Sequence, residues 1–221
     1  MDIDYGNAVR RYEEMTDLEV SVRPEQILRM HYPDLSAPLA QEVRDTAAAM
    51  AADALKIAQP IGWTRRVSVR VLDDARVEFA GGAIAQSPAL AGALRQSGGA
   101  HLFVVTLGPR LDERVSELFN AMDGLEGLFL DTAGWVVVQS ALSSLRSRLG
   151  PRARAEGLGL TRRMGPGYLD WPLEEQAALV GTLGDGEPLP GIEVIESGAI
   201  LPEKTITGLY GLVRAEFPDK E

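Results

Sequence analysis

A chain of 221 residues with 45% hydrophobic and 24% charged side chains is long enough to bury a full core and has the make-up of a soluble globular protein. Its formal net charge of −10 argues against nucleic acid as the main partner, because phosphate binding draws on an excess of Lys and Arg. The absence of cysteine excludes iron–sulfur clusters, thiolate zinc sites, disulfides and cysteine nucleophiles, and His31 and His101 alone leave little for an imidazole metal site. The N-terminal MDIDYGNAVRRYEEM has neither a signal-peptide core nor transit-peptide character, and no apolar run approaches a membrane span, so a cytoplasmic protein is expected.

Residues 1–22 form a polar lead-in with helical potential, ahead of a single domain over 23–221. Pro24 opens a short helix through PEQILRMHY. Ser36 is placed to cap a long helix to Ile57, with Leu39, Val43, Met50, Ala54 and Ile57 on one stripe and Pro60 and Gly62 ending it. RVSVRVL at 66–72 alternates as a half-buried strand, and Asp73-Asp74 turns it into a second strand over 76–79. Ser87 caps SPALAGALRQS, which stops at Gly98-Gly99. Residues 101–107 form a continuous apolar strand, and Gly108 leads into a helix from 111 to about 122. The stretch VVTLGPRLDE lacks both GxGxxG and GxxxxGK[ST], so it is neither a dinucleotide loop nor a P-loop.

Residues 127–149 predict a second long helix with Leu128, Trp135, Val138, Leu142, Leu145 and Leu149 on its buried face and Asp131 one turn before Trp135. A connector spans 150–161, a helix 172–183, and after DGEPLPG two strands follow in IEVIESGAIL and KTITGLYGLVR. From Arg146 to Arg163 there are six arginines and one acidic residue, Glu156. Arg146 and Arg148 suit a helix C-terminus, whereas Arg162 and Arg163 lie beyond it.

Those two arginines open TRRMGPGYLDW at 161–171, the stretch hardest to explain by packing. Pro166 fixes φ, Gly165 and Gly167 let the backbone turn sharply, and Tyr168 and Trp171 follow. A cation, bare backbone and ring faces within a few residues suit a small ligand with a carboxylate and a planar ring; an ordinary strand-to-helix turn is the plainer alternative.

Four segments in order, VVTLGPRLDERV, LDTAGWVVVQ, RMGPGY and LPEKTITGLYGL, resemble the activation (reactivation) domain of cobalamin-dependent methionine synthase and similar free-standing proteins; RMGPGY fits that family's RxxPGY loop. The resemblance spans roughly 24–214. It implies an α+β fold, with a twisted antiparallel sheet and packed helices, that binds S-adenosylmethionine. It implies that Arg163 pairs with the ligand carboxylate, that Gly165, Pro166, Gly167 and Tyr168 hold the adenosyl portion, and that Tyr210 lies nearby. Gln139 stands where the family has a glutamate, which keeps a hydrogen-bonding group but loses a charge that would favour the sulfonium. The family's acidic contact from the start of the domain has no clear counterpart here.

The implied role is repair: reductive methylation of Co(II) cobalamin to methylcobalamin, with S-adenosylmethionine as methyl donor. The sequence contains no Asp-x-His-x-x-Gly cobalamin motif. Cobalamin would therefore be presented by a partner, a cobalamin-binding protein or other methionine synthase subunits, with an external flavodoxin- or ferredoxin-like electron donor. The chain thus looks like one subunit of a split methionine synthase. The alternatives are reactivation of another corrinoid methyltransferase, or docking of a corrinoid protein without S-adenosylmethionine.

Overall fold

A computed structural model describes residues 12–32, 34 and 39–215. Its centre is a seven-stranded antiparallel sheet built on β2 (Ile61–Val71), β5 (Gly99–Thr106) and β9 (Thr205–Arg214). The order is β4 (Ile84–Gln86), β3 (Arg76–Phe79), β2, β5, β9 and β6 (Leu158–Leu160), with β1 (Glu13–Met15) also on β2. β2 serves two neighbours on one edge: β1 pairs with it at Gly62 to Thr64 and β3 at Val69 to Val71. Gly62, expected to end the preceding helix, lies inside this strand, where a Cβ would come 2.9 Å from Leu145 Cδ1. This is the mixed α+β antiparallel architecture expected.

The strand period of two sends alternate residues to opposite faces, and helices cover both. Phe103, Val105, Ile206 and Tyr210 join one core with α1 (Pro24–His31), α2 (Gln41–Ile57), α4 (Arg110–Asn120) and α5 (Gly124–Ala155). Trp63, Val67, Leu102, Val104 and Leu209 join the other with α3 (Pro88–Leu94) and α6 (Gln176–Gly184). α2 starts from Ala40 without a side-chain cap; the expected cap, Ser36, lies outside the described residues.

Several expectations change. Of the lead-in, residues 1–11 lie outside the described residues, and residues 12–22 carry β1 rather than a helix, with residues 17–21 running along α5 as a strap. Ser144 Oγ accepts from Glu19 N–H and Ser140 Oγ from Ser21 N–H, both at 3.0 Å, while Arg148 pairs with Asp17 at 2.5 Å. α5 passes through Gly150-Pro151 and ends near Gly157, whose φ of +72° supplies the left-handed turn that closes a helix. The connector therefore holds the last turn of α5 and β6. Helix 172–183 is a short 3-10 turn, Leu173–Glu175, followed by α6, and IEVIESGAIL folds back on itself as β7 (Glu193–Val194) and β8 (Ile200–Leu201).

Val138, Leu142, Leu145 and Leu149 are buried as expected, but Leu128 and Trp135 are 41% and 42% exposed. Small residues explain the shift. Ala133, Gly134 and Ala141 lie on the core face, and a Cβ at Gly134 would come 2.7 Å from Leu111 Cδ2. Asp131 accepts from the buried Lys204 Nζ at 2.7 Å. α5 is long and apolar enough to cross a membrane by length and composition, but 56% of its most apolar stretch is buried inside the protein, as in a core helix.

Candidate functional site

Beyond β6 the chain continues beside β9. Thr161 N–H donates to Gly211 O at 3.0 Å, and Thr161 Oγ1 accepts from Gly211 N–H at 2.8 Å. Met164 and Leu209 exchange backbone hydrogen bonds of 3.1 and 2.7 Å. Two glycines permit this approach: a Cβ at Gly208 would stand 2.3 Å from Met164 O, and one at Gly165 would stand 3.0 Å from Thr207 O.

The Gly165-Pro166-Gly167-Tyr168 turn is thereby set against β9. Tyr168 N–H donates to Gly165 O at 3.1 Å and Gly167 N–H to Trp171 O at 2.8 Å, with Gly167 at φ +78°. These bonds spend two of the turn's donors on its own shape. Its far end is anchored. Trp171 is 2% exposed, stacks on Phe79 with 6.3 Å between ring centroids, and donates from Nε1 to Glu175 at 2.7 Å. Asp170 accepts from Ser87 Oγ and from Ala89 N–H at the start of α3, and these bonds, the Ser87 hydroxyl foremost, hold its carboxyl below the usual range.

The side chains form two arginine–tyrosine pairs, and only Tyr210 among the four residues is buried. Arg163 Cζ sits 5.2 Å from the centroid of the half-exposed Tyr168 ring. Tyr210 is buried on β9, stacks on Phe103 at 5.0 Å, and lies under Arg146 with 4.7 Å from Cζ to the ring centroid. Burial pushes the Tyr210 phenol up, opposed by Arg146 and more weakly by Arg163. Arg146 also donates to Thr161 O at 3.0 Å, tying α5 to the start of the loop.

Arg163, Gly165, Pro166, Gly167, Tyr168 and Tyr210 thus gather along β9. Gln139 stands apart, exposed on α5 about two turns before Arg146, facing a cleft between α5, α1 and the strap. Arg146 is the residue that sequence reasoning undervalued. A helix ending at 149 made it a terminal cation, whereas in a helix ending at Ala155 it is an interior residue aimed at Tyr210 and Thr161. Among the described residues no cluster of three or more His, Cys, Asp or Glu is arranged to hold a metal ion.

No family model matches this chain and no curated protein is significantly similar to it. Among solved structures it is similar to the crystal structure of the MetH reactivation domain bound to AdoHcy, with a TM-score of 0.59 and 15% identity over 95% of this chain and 79% of that one. At this identity the likeness is one of fold: strands and helices are arranged as in that reactivation domain.

Proposed function

We propose that this chain, which shares the fold of a MetH reactivation domain, binds S-adenosylmethionine and supports reductive methylation of a corrinoid held by a separate protein in the cytoplasm. The observation that carries this reading is the Arg163–Tyr168 pair on a turn fixed to β9, with a second pair, Arg146 on Tyr210, tied to the start of the same loop through Thr161 O. An arginine at the mouth of a rigid turn suits an amino-acid carboxylate, and a half-exposed ring beside it suits a flat adenosyl group. The residues present fit the carboxylate end of the ligand. They supply no carboxylate at position 139 to attract the sulfonium.

The corrinoid would supply a reduced cobalt that takes the methyl group, leaving S-adenosylhomocysteine, after one electron from a flavodoxin- or ferredoxin-like donor. This chain's part is to hold the sulfonium donor in line for displacement, which needs alignment and charge placement rather than a general acid or base. A split methionine synthase is the setting we favour; reactivation of another corrinoid methyltransferase would use the same site.

Calorimetry with S-adenosylmethionine tests the ligand. Arg163→Ala should lose about 2–5 kcal/mol of binding and Arg163→Lys should recover it only partly, because lysine lacks the bidentate fork. Gln139→Glu should tighten S-adenosylmethionine more than S-adenosylhomocysteine, which has no sulfonium charge. Unchanged affinity in Arg163→Ala would remove the assignment. Mixing the protein with a Co(II) corrinoid protein, S-adenosylmethionine and a reductant tests the role: methylcobalamin forming equally fast without this chain overturns it.

A further inference from the structure

Two guanidinium groups meet at Tyr210 from distant parts of the chain. Arg146 comes from the interior of α5 and lies over the ring, with 4.7 Å from Cζ to the centroid. Arg163 comes from the loop. Met164 bridges to Leu209 and shares its core, so the strand period sends the neighbouring Arg163 to the opposite face, where Tyr210 packs and α5 runs. Burial raises the Tyr210 phenol while both guanidinium groups pull it down, which places Arg163 within electrostatic reach of the same hydroxyl. In a protein of net charge −10 such cations are expected to recruit acidic side chains, as Arg148 does with Asp17 and Arg152 with Glu13 farther along α5. Among the described residues neither Arg146 nor Arg163 has an acidic partner. Arg146 spends Nη1 on Thr161 O at 3.0 Å, and its guanidinium carries further N–H donors that this bond does not use.

We propose that Arg146 is a second carboxylate contact of the ligand site, so that one carboxylate beside Tyr210 is gripped by Arg163 from the loop and by Arg146 from the helix. This deepens the S-adenosylmethionine reading and rests on it for the identity of the ligand. Two like charges held at one buried ring repel each other, and an anion shared between them removes that repulsion as it binds. A carboxylate has two oxygens and lone pairs enough to accept from both guanidinium groups. The two contacts differ in how they are held. Arg146 stands on a regular helix and is fixed by its bond to Thr161 O, so its contact is in place before the ligand arrives.

The test uses the full chain and calorimetry with three probes: S-adenosylmethionine, S-adenosylhomocysteine, and methylthioadenosine, which keeps the adenosyl group but has no carboxylate. Arg146→Ala should weaken the first two by about 10- to 100-fold, the worth of a hydrogen bond to a charged group, and leave methylthioadenosine unchanged. Arg146→Lys, which keeps the charge without the fork, should fall between wild type and Arg146→Ala. Circular dichroism checks the fold of each variant, and if Arg146→Ala does not fold, a selective loss in Arg146→Lys decides. An equal loss for all three probes would show that Arg146 only tethers the loop; that result, or no loss for any probe, overturns the proposal while the ligand reading stands. If Arg146→Ala weakens the carboxylate-bearing probes but Arg163→Ala does not, the helix contact stands and the Arg163 assignment falls. Failure of the wild type to bind S-adenosylmethionine removes the ligand reading, and this contact with it.

Discussion

Gly208 shows how one missing side chain shapes the site. Because a Cβ there would stand 2.3 Å from Met164 O, Gly208→Ala must push the loop off β9. We expect a loss of more than about 2 kcal/mol in urea unfolding, together with weaker S-adenosylmethionine binding. Gly92→Ala is the control: nothing lies within 4 Å of a Cβ built at this α3 position, so helix propensity should make the change stabilising by about 0.5–1 kcal/mol. Asp170 adds a pH signature. Its carboxyl is held below the usual range, mainly by the Ser87 hydroxyl. Its bonds therefore stabilise the fold above the ordinary carboxylate pKa and are lost as pH falls through the depressed folded value. Thermal midpoints measured on acidification should fall more steeply in the wild type than in Asp170→Asn, which has no proton to gain there.

Among the elements, α5 does the most to position the site. Its inner face carries core residues, its outer face Trp135 and Gln139, and beyond them Arg146, Arg148 and Arg152 fasten the loop and the N-terminal segment. Replacing both Ser140 and Ser144 by alanine should cost about 1–3 kcal/mol, since each hydroxyl satisfies one strap N–H. Amide exchange at Glu19 and Ser21 should then accelerate while α2 stays protected. Most of this architecture was legible, because strand alternation, the apolar run of β5 and the RMGPGY motif are local signals. What was not legible depended on partners distant in sequence. The start of β2 was hidden because Gly62 resembles a helix stop until Leu145 is seen against it. The facing of α5 was misjudged because Ala133, Gly134 and Ala141 carry little apolar weight yet permit the closest approach. Of the proposed ligand residues, the loop positions and Tyr210 assemble along one strand, and the separate position of Gln139 becomes visible only once the helix phase is known.

For the whole molecule, β2, β5 and β9 form a partition with a core on each face, so neither core can melt without exposing the other's floor. In a Trp135→Phe background, fluorescence of Trp63 and Trp171 reports one side, while far-UV circular dichroism is dominated by α2 and α5 on the other. The two probes should give coincident transitions, the mark of two-state unfolding. Phe129→Ala, in the core of the long helices, should shift both midpoints together at a cost of about 3–5 kcal/mol. Separated transitions would show instead that the faces fold as independent units.

The strap has one further consequence. Alternate residues of an extended chain recur at about 6.6 Å and every fourth residue of a helix at about 6.0 Å. Ser21, Glu19 and Asp17 therefore meet Ser140, Ser144 and Arg148 in step. At the middle rung the helix reads only the strap's main chain, whose N–H is the same whatever residue bears it, whereas Ser21 also sets its own hydroxyl 3.4 Å from Ser140 Oγ. Sequence drift should therefore be cheap at position 19 and expensive at 140 and 144, so that the helix hydroxyls, more than the segment they hold, carry the memory of the contact.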